Sequence, residues 1–184
     1  HKRFADLVRI AGRYRVPNLW FPTNLLALNR EKAEAIVEAG VRCVAASVDG
    51  FDTETYERIR VGGRFAVLEE KLALFNDVRR GSSTRLRLIF TWMRSNRDHL
   101  LRLPDFAAKH GASELDVRFV VPTVGVDNRT ELLSNEDPEQ LNKELWQAFR
   151  DGVARGLRFF AYPDLRAERG ARRDPFSRLG RLAL

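Results

Sequence analysis

Apolar residues recur along this chain in two alternating rhythms, and the alternation predicts its elements. Phe4, Leu7, Val8 and Ala11 keep helical spacing and predict a helix over Lys2–Tyr14. Val16-Pro17 ends it, because a residue before proline is pushed out of the helical region. Leu19, Trp20 and Phe21 predict a short buried strand over Asn18–Thr23, closing at Pro22. Asn29 is placed to cap a helix running to Ala39, with Ala33, Ile36 and Val37 on one face and Gly40 ending it. Arg42–Val48 reads as a second buried strand, Asp49-Gly50 as a turn, and Thr53–Arg60 as a short helix broken by Gly62-Gly63. A longer helix over Arg64–Arg79 places Phe65, Leu68, Leu72 and Phe75 on one face.

The second half repeats the theme. Arg85–Trp92 predicts a third strand, with Leu86, Leu88 and Phe90 on one face and Ile89 on the other. A helix over Asp98–His110 is interrupted at Pro104, and Gly111 ends it. Leu115–Val121 predicts a fourth strand, residues 122–136 a long loop, Pro138–Arg155 a helix with proline in its first turn, and Leu157–Ala161 a fifth strand. Apolar strands alternating with amphipathic helices imply an α/β fold with a parallel sheet and helical cover. Right-handed crossovers make it either an open doubly wound sheet or the arc of a barrel. Neither G-x-G-x-x-G nor G-x-x-x-x-G-K-[ST] occurs, against the commonest nucleotide-binding sheets.

Composition narrows the picture. With 44% apolar and 31% charged residues in 184, the chain can bury a core. No apolar run approaches the roughly 20 residues of a membrane span, and HKRFADLVRI shows no signal-peptide pattern. Cys43 is the single cysteine; by itself it makes no internal disulfide, structural zinc site or iron–sulfur cluster, and a cytoplasmic location is expected. The net charge of +7 is concentrated toward the end. Residues 164–184 form a basic tail, with six arginines (166, 169, 172, 173, 178, 181) beyond residue 165 against Glu168 and Asp174. Such a tail touches nucleic acid or anionic lipid in some proteins and is a solvated end in most. Scattered aromatics form no base-stacking platform, so nucleic-acid binding is not expected.

In parallel sheets of this type, ligands meet the carboxyl ends of the strands. Those ends carry Thr23 and Asn24, then Ser47, Asp49 and Gly50, then Thr91, Met93, Arg94, Ser95 and Asn96, then Val120 to Thr123. They are small polar groups suited to a ribose, an amide or a carboxylate, without an acid–base pair. His1, His99 and His110 have no ligand-like spacing and read as terminal or helix-surface residues. Ser47 has no histidine base near it in sequence, so a hydrolase triad is not supported.

The stretch SVDGFDTETYERIRVGGRF (Ser47 to Phe65) resembles the fourth-strand segment of radical SAM enzymes, which often reads S-I-D-G, then T-x-E-T-Y-E-x-I-R, then Gly-Gly. LWFPTN resembles that family's third-strand T-T-N-G segment, LIFTWMRSN its fifth-strand V-x-M-x-S-N segment, and LDVRFVVPTVG its sixth strand and following loop. The resemblance covers roughly residues 1 to 160. It implies a partial six-stranded (β/α) barrel over residues 1–163, from the third strand onward. It also implies a [4Fe–4S] cluster that cleaves S-adenosylmethionine and a radical that abstracts hydrogen from substrate. The C-x-x-x-C-x-x-C loop and the G-G-E-P motif are absent, as is a cysteine-rich SPASM-like extension. The 184 residues therefore read as a fragment lacking two strands, inactive as given, with an exposed barrel edge, poor stability or self-association, and no tight cofactor binding expected. The missing strands are an implied partner, and a small molecule or peptide the implied substrate. The alternative is a non-catalytic α/β binding or scaffold domain that has lost the cluster.

The resemblance also suggests residue roles. Ser47 is assigned to the cofactor's ribose or methionyl group, against a serine that bonds the following turn. Arg60 is matched to the methionine carboxylate, with Arg58 as a rival. Thr23 and Asn24 match the third-strand T-N, with Leu25 where glycine is usual. Ser95 and Asn96 face the cofactor or cap the following helix. Val120 and Val121 offer backbone groups near adenine. Asp49-Gly50 reads as architectural, and Trp92, Trp146, Phe159 and Phe160 as core.

Overall fold

A computed structural model describes residues 1–122, 125, 127–133 and 136–162; the basic tail at 164–184 lies outside the described residues. Five parallel strands form one sheet: β1 (Trp20–Thr23), β2 (Cys43–Ser47), β3 (Arg85–Trp92), β4 (Glu114–Phe119) and β5 (Arg158–Tyr162). Their spatial order is their chain order, and β1 and β5 are its edges. The crossovers carry α2 (Arg30–Glu38), α3 (Thr53–Ile59), α4 (Phe65–Val78), α5 (Leu103–Lys109) and α6 (Pro138–Ala154), with α1 (Phe4–Arg13) ahead of β1. Sequential order with right-handed crossovers sets every helix against the same side of the sheet. This is the expected α/β arrangement.

Local chemistry explains the element ends. Asn29 caps α2, its Oδ1 accepting from Lys32 N at 3.0 Å. Asp52 caps α3 by accepting from Thr55 N at 2.8 Å. Gly40 follows α2 at φ 66, where a side chain would be strained. Phe65, Leu68, Leu72 and Phe75 are buried on α4 as their spacing requires.

Three expectations are corrected. Trp20 is half exposed because β1 is an edge strand with a neighbour on one side only. The fourth strand runs Glu114–Phe119, so Val120 and Val121 stand beyond its end. Residues Arg94–Arg102 form a 3-10 segment, and α5 starts at Leu103 with Pro104 in its first turn, where a missing N–H costs nothing.

Alternation gives the sheet two unlike faces. Val44, Ala46, Leu86, Leu88, Phe90, Trp92, Leu115 and Val117 point to the helices and are fully buried. Register places Cys43, Arg85, Arg87, Glu114, Asp116, Arg118, Arg158 and Phe160 on the opposite face. Ser47 lies on that second face, at the carboxyl end of β2 opposite Ile89.

Candidate functional site

The carboxyl-end rim is organised around Asp49, buried just beyond β2. Its Oδ1 accepts from Thr91 N at 2.8 Å, and its Oδ2 pairs with the Arg60 guanidinium. Its carbonyl accepts from Asn96 Nδ2 at 2.9 Å. Asn96 is fully buried and gives its whole amide to main chain: Nδ2 also donates to Thr91 O at 2.9 Å, and Oδ1 accepts from Met93 N at 2.8 Å. One carboxylate and one amide thereby lock the loops after β2 and β3 together. Gly50 fits where no side chain can, since a Cβ there would lie 2.7 Å from Tyr56 N.

His99 joins the same rim. Its Nδ1 accepts from Phe51 N at 3.0 Å, which puts the proton on Nε2, 3.2 Å from Asp52 Oδ2. Burial pushes its pKa down, outweighing the raising effect of Asp98 and Asp52. The main-chain N–H of Thr55 pulls the Asp52 carboxyl below its usual range. His99 and His110 are 2% and 8% exposed, which overturns the surface reading of both; each packs against an aromatic ring, Phe51 and Phe106 respectively.

Beside this rim lies a cleft of about 340 Å³, lined by Asn24, Leu26, Tyr56, Ile59, Arg60 and Gly62 among others. Two polar atoms of its lining residues are buried without a hydrogen-bond partner, Tyr56 Oη and Arg60 Nε. Burial raises the Tyr56 pKa, so the hydroxyl keeps its proton. Two hydrogen-bond donors without acceptors are costly unless a ligand supplies them. A carboxylate has the matching chemistry.

The candidate residues separate. Arg60 and Asn24 share the cleft; Arg58 instead donates to Ser95 O at 3.0 Å. Thr23 Oγ1 accepts from Leu25 N at 3.0 Å, and Asn24 Oδ1 from Leu26 N at 3.3 Å. Leu25 adopts φ 66, so the chain makes the left-handed turn without the glycine. Ser95 N donates to Glu131 Oε2 at 3.0 Å. Asn96 bonds Met93 N, as a capping residue would, and is closed off from solvent. Val121 O accepts from Asn128 Nδ2 at 2.9 Å, and neither Val120 nor Val121 lines the cleft. Sequence alone singles out neither Tyr56, which lines the cleft, nor His99, which joins the rim. The T-Y-E run placed Tyr56 on a helix next to the Ser47 motif, a usable signal; nothing local marked His99.

No known family profile matches the chain, and no curated protein does. Solved structures share its fold. The crystal structure of Streptococcus suis SuiB bound to S-adenosylmethionine matches with TM-score 0.69 at 16% identity, over 94% of this chain and 40% of that one. SuiB bound to precursor peptide SuiA matches with TM-score 0.67 at 15% identity, over 88% of this chain and 36% of that one. The chain thus spans about two-fifths of the length of SuiB. At this identity the likeness is one of fold.

Proposed function

We propose that this chain is the S-adenosylmethionine-holding part of a radical SAM barrel. The observation that carries the reading is the cleft: two unpartnered donors, Arg60 Nε and Tyr56 Oη, in the segment that resembles that family's fourth-strand motif. The fold shared with SuiB, solved with S-adenosylmethionine, supports it. Bound S-adenosylmethionine would supply hydrogen-abstraction chemistry on receiving one electron from a [4Fe–4S] cluster. In this reading Arg60 Nε–H and the Tyr56 hydroxyl take the methionine carboxylate, with the Asn24 amide at the cleft wall. Ser47 offers its hydroxyl to the ribose or methionyl group from the end of β2. Val120 and Val121 present main-chain groups to the adenine. Asp49 and Asn96 hold the loops that carry these groups. Thr23 and Ser95 shape the turns beside them.

A [4Fe–4S] cluster does not fit the residues present. Cys43 is the single cysteine, 3.9 Å from Glu114 Oε2 on the sheet face opposite the described helices, and burial raises its pKa. Cluster ligands in this reading belong to residues other than these 184. The same misfit favours the second reading, a domain that binds at these strand ends without redox chemistry. A precursor peptide bound to SuiB makes a peptide the preferred substrate class, a small molecule the other.

The test is S-adenosylmethionine titrated into the isotope-labelled chain, followed by amide NMR. Weak binding that shifts the amides of Ser47, Tyr56, Arg60 and Gly62, and is lost in Arg60→Gln, is the expected result. Absence of those shifts at saturating ligand overturns the assignment.

A further inference from the structure

A second cleft, of about 410 Å³, opens at the other end of the sheet from the rim. It lies between two turns that feed strands, one joining α4 to β3 and the other joining α5 to β4. Three of its lining residues are cationic, Arg79, Arg80 and Lys109, and none is acidic. Arg80 and Lys109 are exposed and keep only surface partners, Asp77 at 3.9 Å and Glu69 at 3.1 Å respectively. Small or neutral residues, Ser82 and Asn76 among them, complete the lining.

Arg79 differs from the other two. It is half-buried at the end of α4 and bonds only neutral acceptors: Nε donates to Asn76 Oδ1 at 2.8 Å, Nη1 to Thr84 O at 3.2 Å, and Nη2 to Gly111 O. These bonds tie the two turns together. A guanidinium has five N–H groups, so one stays unused on each of Nη1 and Nη2. Among the described residues no carboxylate pairs with Arg79, and burial alone acts on its pKa, pulling it down. Arg97 and Arg118 show the contrast, since carboxylate partners push theirs up. Arg79 is thus a partly desolvated positive charge that these residues leave without a counter-ion, a cost that a bound anion relieves. Ser82 Oγ accepts from Thr84 N at 3.3 Å, which leaves its hydroxyl proton to donate.

We propose that this cleft binds the phosphate group of a small hydrophilic ester. A phosphate group carries a charge of about −1.5 to −2 and three strong acceptor oxygens. Those oxygens match the donors available here: the unused Arg79 N–H groups, the Lys109 ammonium and the Ser82 hydroxyl, with Arg80 adding charge at the mouth. A carboxylate has two oxygens in one plane and is satisfied by a single guanidinium fork, so it would leave the other cations unmet. The volume falls within the range of about 300–1,000 Å³ usual for small-molecule sites, which leaves room for the rest of the ester beyond its phosphate. The site lies at the opposite ends of the strands from the rim, so the inference is independent of the S-adenosylmethionine reading.

The experiment titrates glycerol 3-phosphate, inorganic phosphate and acetate into the isotope-labelled full chain at constant ionic strength and follows the amides by NMR. Glycerol 3-phosphate should give saturable shifts at Gly81, Ser82, Lys109 and Gly111, with an affinity no weaker than that of inorganic phosphate. Acetate should give no saturable shift there. Arg80→Gln/Lys109→Gln, which changes two exposed side chains, should weaken glycerol 3-phosphate binding about fivefold. Arg79→Lys keeps the charge but loses the fork, and should weaken it about tenfold. If circular dichroism shows that Arg79→Lys unfolds the chain, the double variant decides alone. The proposal is overturned by an absence of saturable shifts in these two turns, by equal binding in the double variant, by equal affinity for acetate, or by binding of inorganic phosphate without the ester. Failure here leaves the S-adenosylmethionine titration of the Arg60 cleft unaffected.

Discussion

The rim and the sheet face opposite the described helices are both polar systems around buried anions or amides, built by opposite means. At the rim, Asn96 and Asp49 spend their hydrogen bonds mainly on main chain: Thr91 N, Thr91 O, Met93 N and the Asp49 carbonyl. On the face opposite the described helices, Glu114 and Asp116 bond to side chains, chiefly arginines from neighbouring strands. Bonds to main chain fix loop shape, and unmet donors remain in both regions, Tyr56 Oη and Arg60 Nε beside the rim and Arg85 Nε on the opposite face. Bonds between side chains leave the backbone as it was and leave charge over. The first arrangement fixes loop shape; the second concentrates charge. The two regions should therefore fail differently.

The largest effect is expected at Glu114→Gln, which leaves three guanidiniums around a neutral group. Removing one partner of a buried ion pair costs about 3–5 kcal/mol, read from the urea midpoint. A loss near zero would show that the arginines turn outward to water. Asn96→Ala strands two carbonyls and an N–H and should cost about 3 kcal/mol. Unlike Glu114→Gln, it should also broaden the amide signals of residues 49–52 and 91–95; sharp signals there would break the claim that this amide shapes the loops. Gly50→Ala forces Tyr56 N away from a new Cβ and should cost about 2 kcal/mol, seen as a lower melting temperature.

A smaller effect concerns pH and bears on the rim alone. His99 is held below its ordinary pKa by burial, so its neutral form is the one the fold prefers. Its contribution is complete above the unfolded value, about 6.5, and is lost as pH falls below it, because the unfolded chain takes up the proton first. Protonation of Nδ1 also removes the acceptor of Phe51 N. Stability should fall from pH 7.5 to 5.5, and less steeply in His99→Gln. His110, also lowered by burial, keeps the remaining slope. An identical slope in the variant would refute the role of His99. Ser47→Ala is expected to change stability by less than about 0.5 kcal/mol while weakening S-adenosylmethionine binding in the NMR titration; the reverse pattern would make Ser47 a turn residue.

Much of the fold was legible because local chemistry writes it. Asn29 caps α2 through its own side chain, Pro138 sits in the first turn of α6, and β3 spans Arg85–Trp92 as its alternation predicts. The site was legible only in part. The Ser47 motif lies beside the rim, and Asp49-Gly50 is architectural, with the Asp49 carboxylate as its hub. Arg60 and Arg58 lie on one short segment, and only the structure separates their partners, Asp49 for the first and the Ser95 carbonyl for the second. The charged face also left a trace, in R-x-R on β3 and E-x-D-x-R on β4. Reading it as a network required the register that places Arg87 beside Glu114.

Spacing, caps and breakers in the sequence alone determined that apolar strands alternate with helices, where most elements begin and end, and which side chains share a face. These follow from interactions within a few residues. Tertiary structure decided that Trp20 lies at an open edge, that His99 and Glu114 are buried, and that Arg60 reaches Asp49 beside a cleft with unmet donors. Burial and pairing depend on what another part of the chain brings within a few ångströms, and no local pattern encodes that neighbour.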